Sequence, residues 1–237
     1  SDQTLEHEFR QLLNLDGVDF YHSRIDNKME INELSLMQMG EELPKAVALL
    51  PRSFNFDVIG YCCTSGSTII GEEKVSKIIK KIHPNTIITN PLSASKAALN
   101  SLGVKRVGFI TPYEPNITNE MRKHLLDNGL EIPVTGSFFE SDDFVVGRIT
   151  KDSILESIIK IGSLDDCDGV FVSCTNLRVV SLIKDAESSI GKPVTSSNHA
   201  LAWHLLRLSG INDSLRNLGS LFLRSLNLND RIVKKNK

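Results

Sequence analysis

Little in these 237 residues points to a charged, greasy or cross-linked partner. The formal net charge is only −2, which leaves no electrostatic footprint for nucleic acid. The Lys80-Lys81 and Lys234-Lys235 pairs read as a solvated helix face and a basic tail. No apolar run approaches the ~20 residues that cross a bilayer, so no membrane partner is expected. Cysteines number four, and neither pair (62/63 and 167/174) has Cys-x-x-Cys spacing. That argues against a structural metal and for free thiols in a reducing compartment, the cytoplasm. His199 and His204 stand five apart and miss the i, i+4 face of a helical His pair. The chain opens on Ser1 rather than on Met, with no signal-peptide pattern.

What is present is one phrase written twice. Asp57-Val-Ile-Gly-Tyr-Cys-Cys63-Thr64-Ser65 is echoed by Asp168-Gly-Val-Phe-Val-Ser-Cys174-Thr175-Asn176, and the two cysteines lie 111 positions apart. Two further matches flank it. Glu8-Phe-Arg10 to Phe20 pairs with Glu120-Met-Arg122 to Ile132 at an offset of 112, and Leu99 to Val104 pairs with Leu206 to Ile211 at 107. Three ordered matches at nearly one spacing indicate two copies of one α/β unit. In the repeat, Cys62 aligns with Ser173, which makes Cys63 the counterpart of Cys174.

The element pattern agrees. Helices are expected at 4–14 (Thr4 as N-cap), 32–50 (with Pro44 inside), 72–82, 93–102 closed by Gly103, 118–128, 152–161, 178–188, 200–208 and 214–226. Strands are expected at 18–25, 56–62, 86–89, 106–111, 132–138, 169–173 and 193–195. Thr111-Pro-Tyr-Glu-Pro115 reads as a turn carrying Tyr113. The β-α alternation predicts parallel sheets with helices on both faces: two pseudo-symmetric flavodoxin-like domains with the active site in the cleft between them. The expected division is 1–92 plus 199–237 for the first domain and 93–198 for the second. The counterpart of strand 106–111 would fall before Ser1, so a first strand is expected outside the written chain.

Ligands of open parallel sheets bind at the carboxyl ends of strands. Both Cys-Thr phrases fall at such ends, each just before an expected helix. Backbone N–H groups and the positive helix end there are expected to lower a thiol's pKa. With Thr64, Ser65, Thr175 and Asn176, the same groups can hold a carboxylate. One thiol on each face of a small acid suits proton removal from one face and delivery to the other, or addition of a thiolate to a conjugated double bond. Tyr113 can donate its hydroxyl to a carboxylate. Cys62 and Cys167 read as small buried hydrophobes.

Gly60-Tyr-Cys-Cys-Thr-Ser-Gly-Ser67, Thr111-Pro-Tyr113, Ser173-Cys-Thr-Asn-Leu-Arg178 and Pro193-Val-Thr-Ser-Ser-Asn198 together resemble the aspartate/glutamate racemase superfamily. Within it they are most similar to the branch of maleate cis-trans isomerase, arylmalonate decarboxylase and the ectoine-utilisation isomerase-like proteins. The resemblance implies a homodimeric enzyme with no cofactor, in which Cys63 adds to substrate as a thiolate or acts as base while Cys174 supplies a proton. It implies that Thr64, Ser65, Tyr113, Thr175 and Asn176 hold a carboxylate. Decarboxylases of the branch typically keep only the second cysteine, so Cys63 argues against that activity. Maleate isomerases usually have Asn where Asp2 and Asp143 stand. An acid at either place repels a dicarboxylate unless it is protonated or bonded elsewhere, which leaves room for an amino-acid-like substrate with a cationic group. The alternative from another class is a binding protein whose two lobes close on a small carboxylate without chemistry.

Overall fold

The computed structural model describes residues 1–227, so the Lys234-Lys235 tail lies outside the described residues. Its strands are β1 (Val58–Gly60), β2 (Ile87–Thr89), β3 (Arg106–Tyr113), β4 (Glu131–Glu140), β5 (Gly169–Val172) and β6 (Val194–Ser196). Its helices are α1 (Leu5–Leu12), α2 (Glu33–Ala48), α3 (Thr64–Ile70), α4 (Glu72–Lys80), α5 (Pro91–Leu102) and α6 (Pro115–Asp127). The rest are α7 (Asp143–Val146), α8 (Lys151–Gly162), α9 (Ile183–Ile190) and α10 (Ser197–Leu208). All ladders between them are parallel. β1 pairs with β2, and a four-stranded sheet runs β4-β3-β5-β6.

The α/β class with parallel sheets is as the sequence pattern predicts. β5 is buried along its whole length, as a strand covered on both faces must be. Local chemistry sets the helix starts. The Asn32 side chain caps Ser35 N–H while the Ser35 hydroxyl caps Asn32 N–H, and α2 then runs on across Pro44. Asn90 caps α5 ahead of Pro91, and Gly103 closes that helix at φ 75°.

The repeat is visible as α1, β1, β2 and α5 against α6, β5, β6 and α10. The last helix of each series packs against the other. Ala94, Ala97 and Ala98 of α5 share a buried cluster with Ala200, Leu201 and Ala202 of α10, and Phe9 of α1 and Trp203 join them. Small side chains let the two helices approach closely.

Four expectations need correction. Residues 18–25 form no strand. Their counterpart β4 hydrogen-bonds only to β3, and β3 has no counterpart among the described residues, so 18–25 has no sheet edge to join. Tyr113 is the last residue of β3 and not part of a turn. The stretch 214–226 is not one helix but two short 3₁₀ turns, Arg216–Leu218 and Ser220–Leu223, parted by Gly219 at φ 84°. Carbonyls there point inward to the buried Arg207 guanidinium, which donates to Ile211, Asp213, Phe222 and Arg224. Carbonyls engaged that way cannot close a helical ladder. Finally, no α-helix follows Cys174 directly. A turn and a 3₁₀ segment (Val180–Leu182) intervene before α9.

Candidate active site at two strand ends

Cys63 follows β1 and is itself the N-cap of α3. Its backbone is extended (φ −142°, ψ 119°) and its Sγ accepts the Gly66 N–H at 3.3 Å, with Ser65 Oγ 3.5 Å away. The glycine is required, because a Cβ at position 66 would stand 3.1 Å from Cys63 Sγ and collide with Tyr61 Oη. Cys174 follows β5 on a strained backbone, φ 153°, a region that side chains other than glycine's rarely enter. Its Sγ accepts the Asn176 N–H at 3.3 Å, and its own N–H donates to Ser197 Oγ at 3.0 Å.

Tyr113 lies between the two ends: Ser65 and Cys174 both act on its hydroxyl, and Ser65 is also the hydroxyl beside Cys63. Cys63, Ser65, Tyr113 and Cys174 thus form one polar group. These four residues line a cavity of about 300 Å³ that extends along β1 towards Val18 and Phe20.

Burial decides the charge state of both sulfurs. It pushes the Cys63 thiol up, against the opposing pull of Ser65 and Gly66. It pushes Cys174 well above the usual range, with the Asp143 charge adding to the effect despite the Tyr113 and Asn176 donors. The lowered thiol pKa expected from strand-end N–H groups is thus overturned in the unliganded chain. Two N–H or O–H donors per sulfur do not outweigh the loss of water. The neighbouring Cys62 is pushed up to about 12 by burial and donates to Gly60 O, and Cys167 is buried beneath β3. All four cysteines are free.

The remaining sequence candidates divide into two groups. Ser65, Tyr113, Asp2, Asp143 and Thr175 line the cavity with the cysteines. Thr64 and Asn176 do not: their side chains brace the frame behind it. The Thr64 hydroxyl donates to Ser197 Oγ at 2.8 Å. The Asn176 amide accepts from Gln3 N–H and donates to the Asp143 carbonyl, which ties the chain start to the mouth of the site. One carboxylate oxygen of Asp2 caps α1 through Thr4 and Leu5 N–H, both at 2.8 Å, and the other is buried with no partner. Burial raises its pKa, and the Asp143 charge contributes to the rise. Thr4, expected as the cap, instead donates its hydroxyl to Asn176 O.

Sequence reasoning missed two residues that hold the site together. Ser197 accepts from both Thr64 and Cys174, one from each strand end. Glu8 is buried under the second end, where it accepts from Val179 N–H, Val180 N–H and the Asn198 amide, and that amide also donates to Thr175 O. The run Pro193 to Asn198 carried the only signal for Ser197, as one of the motifs of the family resemblance, and it assigned Ser197 no role. His199 and His204, set aside on sequence, are buried and held neutral, each lowered to about 4 by burial.

Comparison with known proteins bears on the family and the fold. The arylmalonate decarboxylase family model matches residues 34–222. The maleate isomerase of Alcaligenes faecalis is 23% identical over 235 residues, covering 93% of this chain and 92% of that protein. Maleate isomerase Iso from Pseudomonas putida S16, solved with maleate as a cysteine-to-alanine variant, superposes with a TM-score of 0.83 at 21% identity, over 95% of this chain and 94% of that one. A cysteine-to-serine variant of the Nocardia farcinica maleate cis-trans isomerase, solved with a covalently bound succinylcysteine intermediate, superposes at 0.84 and 21% identity, over 93% and 94%.

Proposed function

The chain belongs to the arylmalonate decarboxylase family, and on that premise we propose that it is a cofactor-independent isomerase of a small carboxylate, working through Cys63 and Cys174. The supporting observation is the pair of thiols at matched strand ends, lining one cavity with Ser65 and Tyr113. Cys63 caps the N-terminus of a helix and is the nucleophile. Cys174, buried at the end without such a helix, is the acid.

In this mechanism the Cys63 thiolate forms an S–C bond to one carbon of a conjugated double bond, and the electron pair moves towards the substrate carboxylate. Cys174 delivers its proton to the adjacent carbon. Rotation about the new single bond follows. Return of that proton to Cys174 and departure of the Cys63 thiolate then release the isomer. Racemisation is the variant in which one thiolate takes an α-proton and the other thiol supplies one to the opposite face. Ser65, Tyr113 and Thr175 hold the carboxylate, and Thr64 and Asn176 act by holding the frame. Asp143 favours a substrate that also carries a cationic group, and no ion pair of Asp143 is found among the described residues. Asp2 lines the same cavity but is engaged by Thr4 and Leu5 N–H, with its pKa raised by burial, so it repels a carboxylate less. The same reading divides the chain into 1–92 with 199–237 and 93–198. It also sets a homodimer in the cytoplasm, in keeping with four free thiols. No helix among the described residues is long and apolar enough to cross a membrane.

Proton NMR in D₂O tests the proposal, with maleate, L-aspartate, L-glutamate, N-acyl amino acids and diamino acids as candidate substrates. Conversion of one of them, as a cis-to-trans change or as deuterium at an α-carbon, is the expected result. Saturable binding with ligand-protected cysteines but no conversion of any compound would favour the non-catalytic binder.

A further inference from the structure

Tyr61 is used by none of the chemistry above, yet it stands beside the nucleophile. It is 2% exposed, and its hydroxyl is buried with no hydrogen-bond partner. Leaving such a group unpaired is costly. Phenylalanine would fill the same space without that cost, so the hydroxyl calls for a use.

Its placement supplies one. Tyr61 and Cys63 are two residues apart on extended backbone, so their side chains share a face. Their tips converge at Gly66, where an added Cβ would meet both Tyr61 Oη and Cys63 Sγ. The charge of Cys63 acts on the hydroxyl, and together with burial it keeps the phenol protonated far into alkaline solution. A neutral thiol is a weak acceptor, whereas a thiolate accepts strongly.

We infer that Tyr61 is a positioning residue for Cys63: its hydroxyl turns to the sulfur and donates to it once Cys63 has become a thiolate. Cys63 then has three donors when charged, from Ser65, Gly66 and Tyr61, and two when neutral. The third donor offsets part of the burial that opposes ionisation. The inference rests on Cys63 being the nucleophile.

The test is alkylation of the whole chain by iodoacetamide, read cysteine by cysteine by peptide mass spectrometry across neutral to alkaline pH, in the wild type and in Tyr61→Phe. The expected result is a Cys63 midpoint about one pH unit higher in the variant, with roughly tenfold slower alkylation below it, and an unchanged Cys174 profile. Superimposable Cys63 profiles overturn the inference while leaving Cys63 as nucleophile. A Cys63 that resists alkylation throughout, while glutathione in the same tube reacts, overturns both. If Tyr61→Phe does not fold, the wild type still decides. The chain has three tyrosines, so ¹³Cζ-tyrosine NMR resolves Tyr61. Its resonance should move as Cys63 ionises and stay still in Cys63→Ala. A resonance that never moves overturns the inference.

Discussion

The two strand ends began as copies and now differ in almost every physical respect. Cys63 sits on relaxed backbone at a true helix N-terminus, half-exposed to the cavity. Cys174 is buried, on strained backbone, with a turn where the helix would be. The first end is held by its own helix, since Gly66 and Ser67 both bond back to Cys63. The second is held from outside, by Ser197, Glu8 and Asn198. One site can therefore offer two thiols in different surroundings, which a perfectly symmetric pair could not do.

The largest expected effect comes from removing the nucleophile. Cys63→Ser should lower turnover at least about a thousandfold, while Cys174→Ser should leave Cys63 able to form an adduct visible by intact mass. Equal losses with no adduct in either would erase the functional distinction between the two ends.

Next in size is a pH effect confined to the second end. Glu8 is raised to about 7 by burial. Between its ordinary value of 4.5 and about 7, the folded chain keeps a proton that the unfolded chain has released. Stability from this group is therefore full below that window and is lost as pH rises through it, by about 3 kcal/mol. Glu8→Gln should remove this loss, read from urea melts of the single tryptophan, Trp203. His199 and His204 act oppositely. Each is lowered to about 4, so their contribution is present above 6.5 and is lost as pH falls through 4. They leave the Glu8 difference between wild type and variant untouched.

Ser197→Ala removes a side chain that accepts from both ends and should cost about 2 kcal/mol, with Cys174 losing more reactivity than Cys63 in site-resolved alkylation. The smallest effect is expected at the chain start. Thr4→Val gives up the bond to Asn176 O and should cost about 1 kcal/mol in the same melts, with the cysteine profiles unchanged.

Much of this was legible in the sequence because it is local. Apolar runs, their β-α alternation and Gly103 marked the elements, and the repeat marked Cys63 and Cys174. What escaped depends on partners distant in the chain. Residues 18–25 have a strand's pattern but no edge to bond, and 214–226 turns its Phe222 and Arg224 carbonyls to Arg207. Ser197 and Glu8 were invisible as site residues because their partners lie 23 to 190 positions away. The thiol pKa values went against expectation because desolvation is a property of the packed whole, whereas a helix end can be read from a few letters.

The crossing of α5 with α10 has a historical consequence. Each repeat ends in a helix whose alanine face is covered by the equivalent helix of the other. An ancestor of half this length could have hidden that face only against a second copy of itself. Fusion of the two copies would then have freed each strand end to drift separately. Specialisation of one thiol for attack and the other for protonation requires that freedom, because identical subunits can only change together.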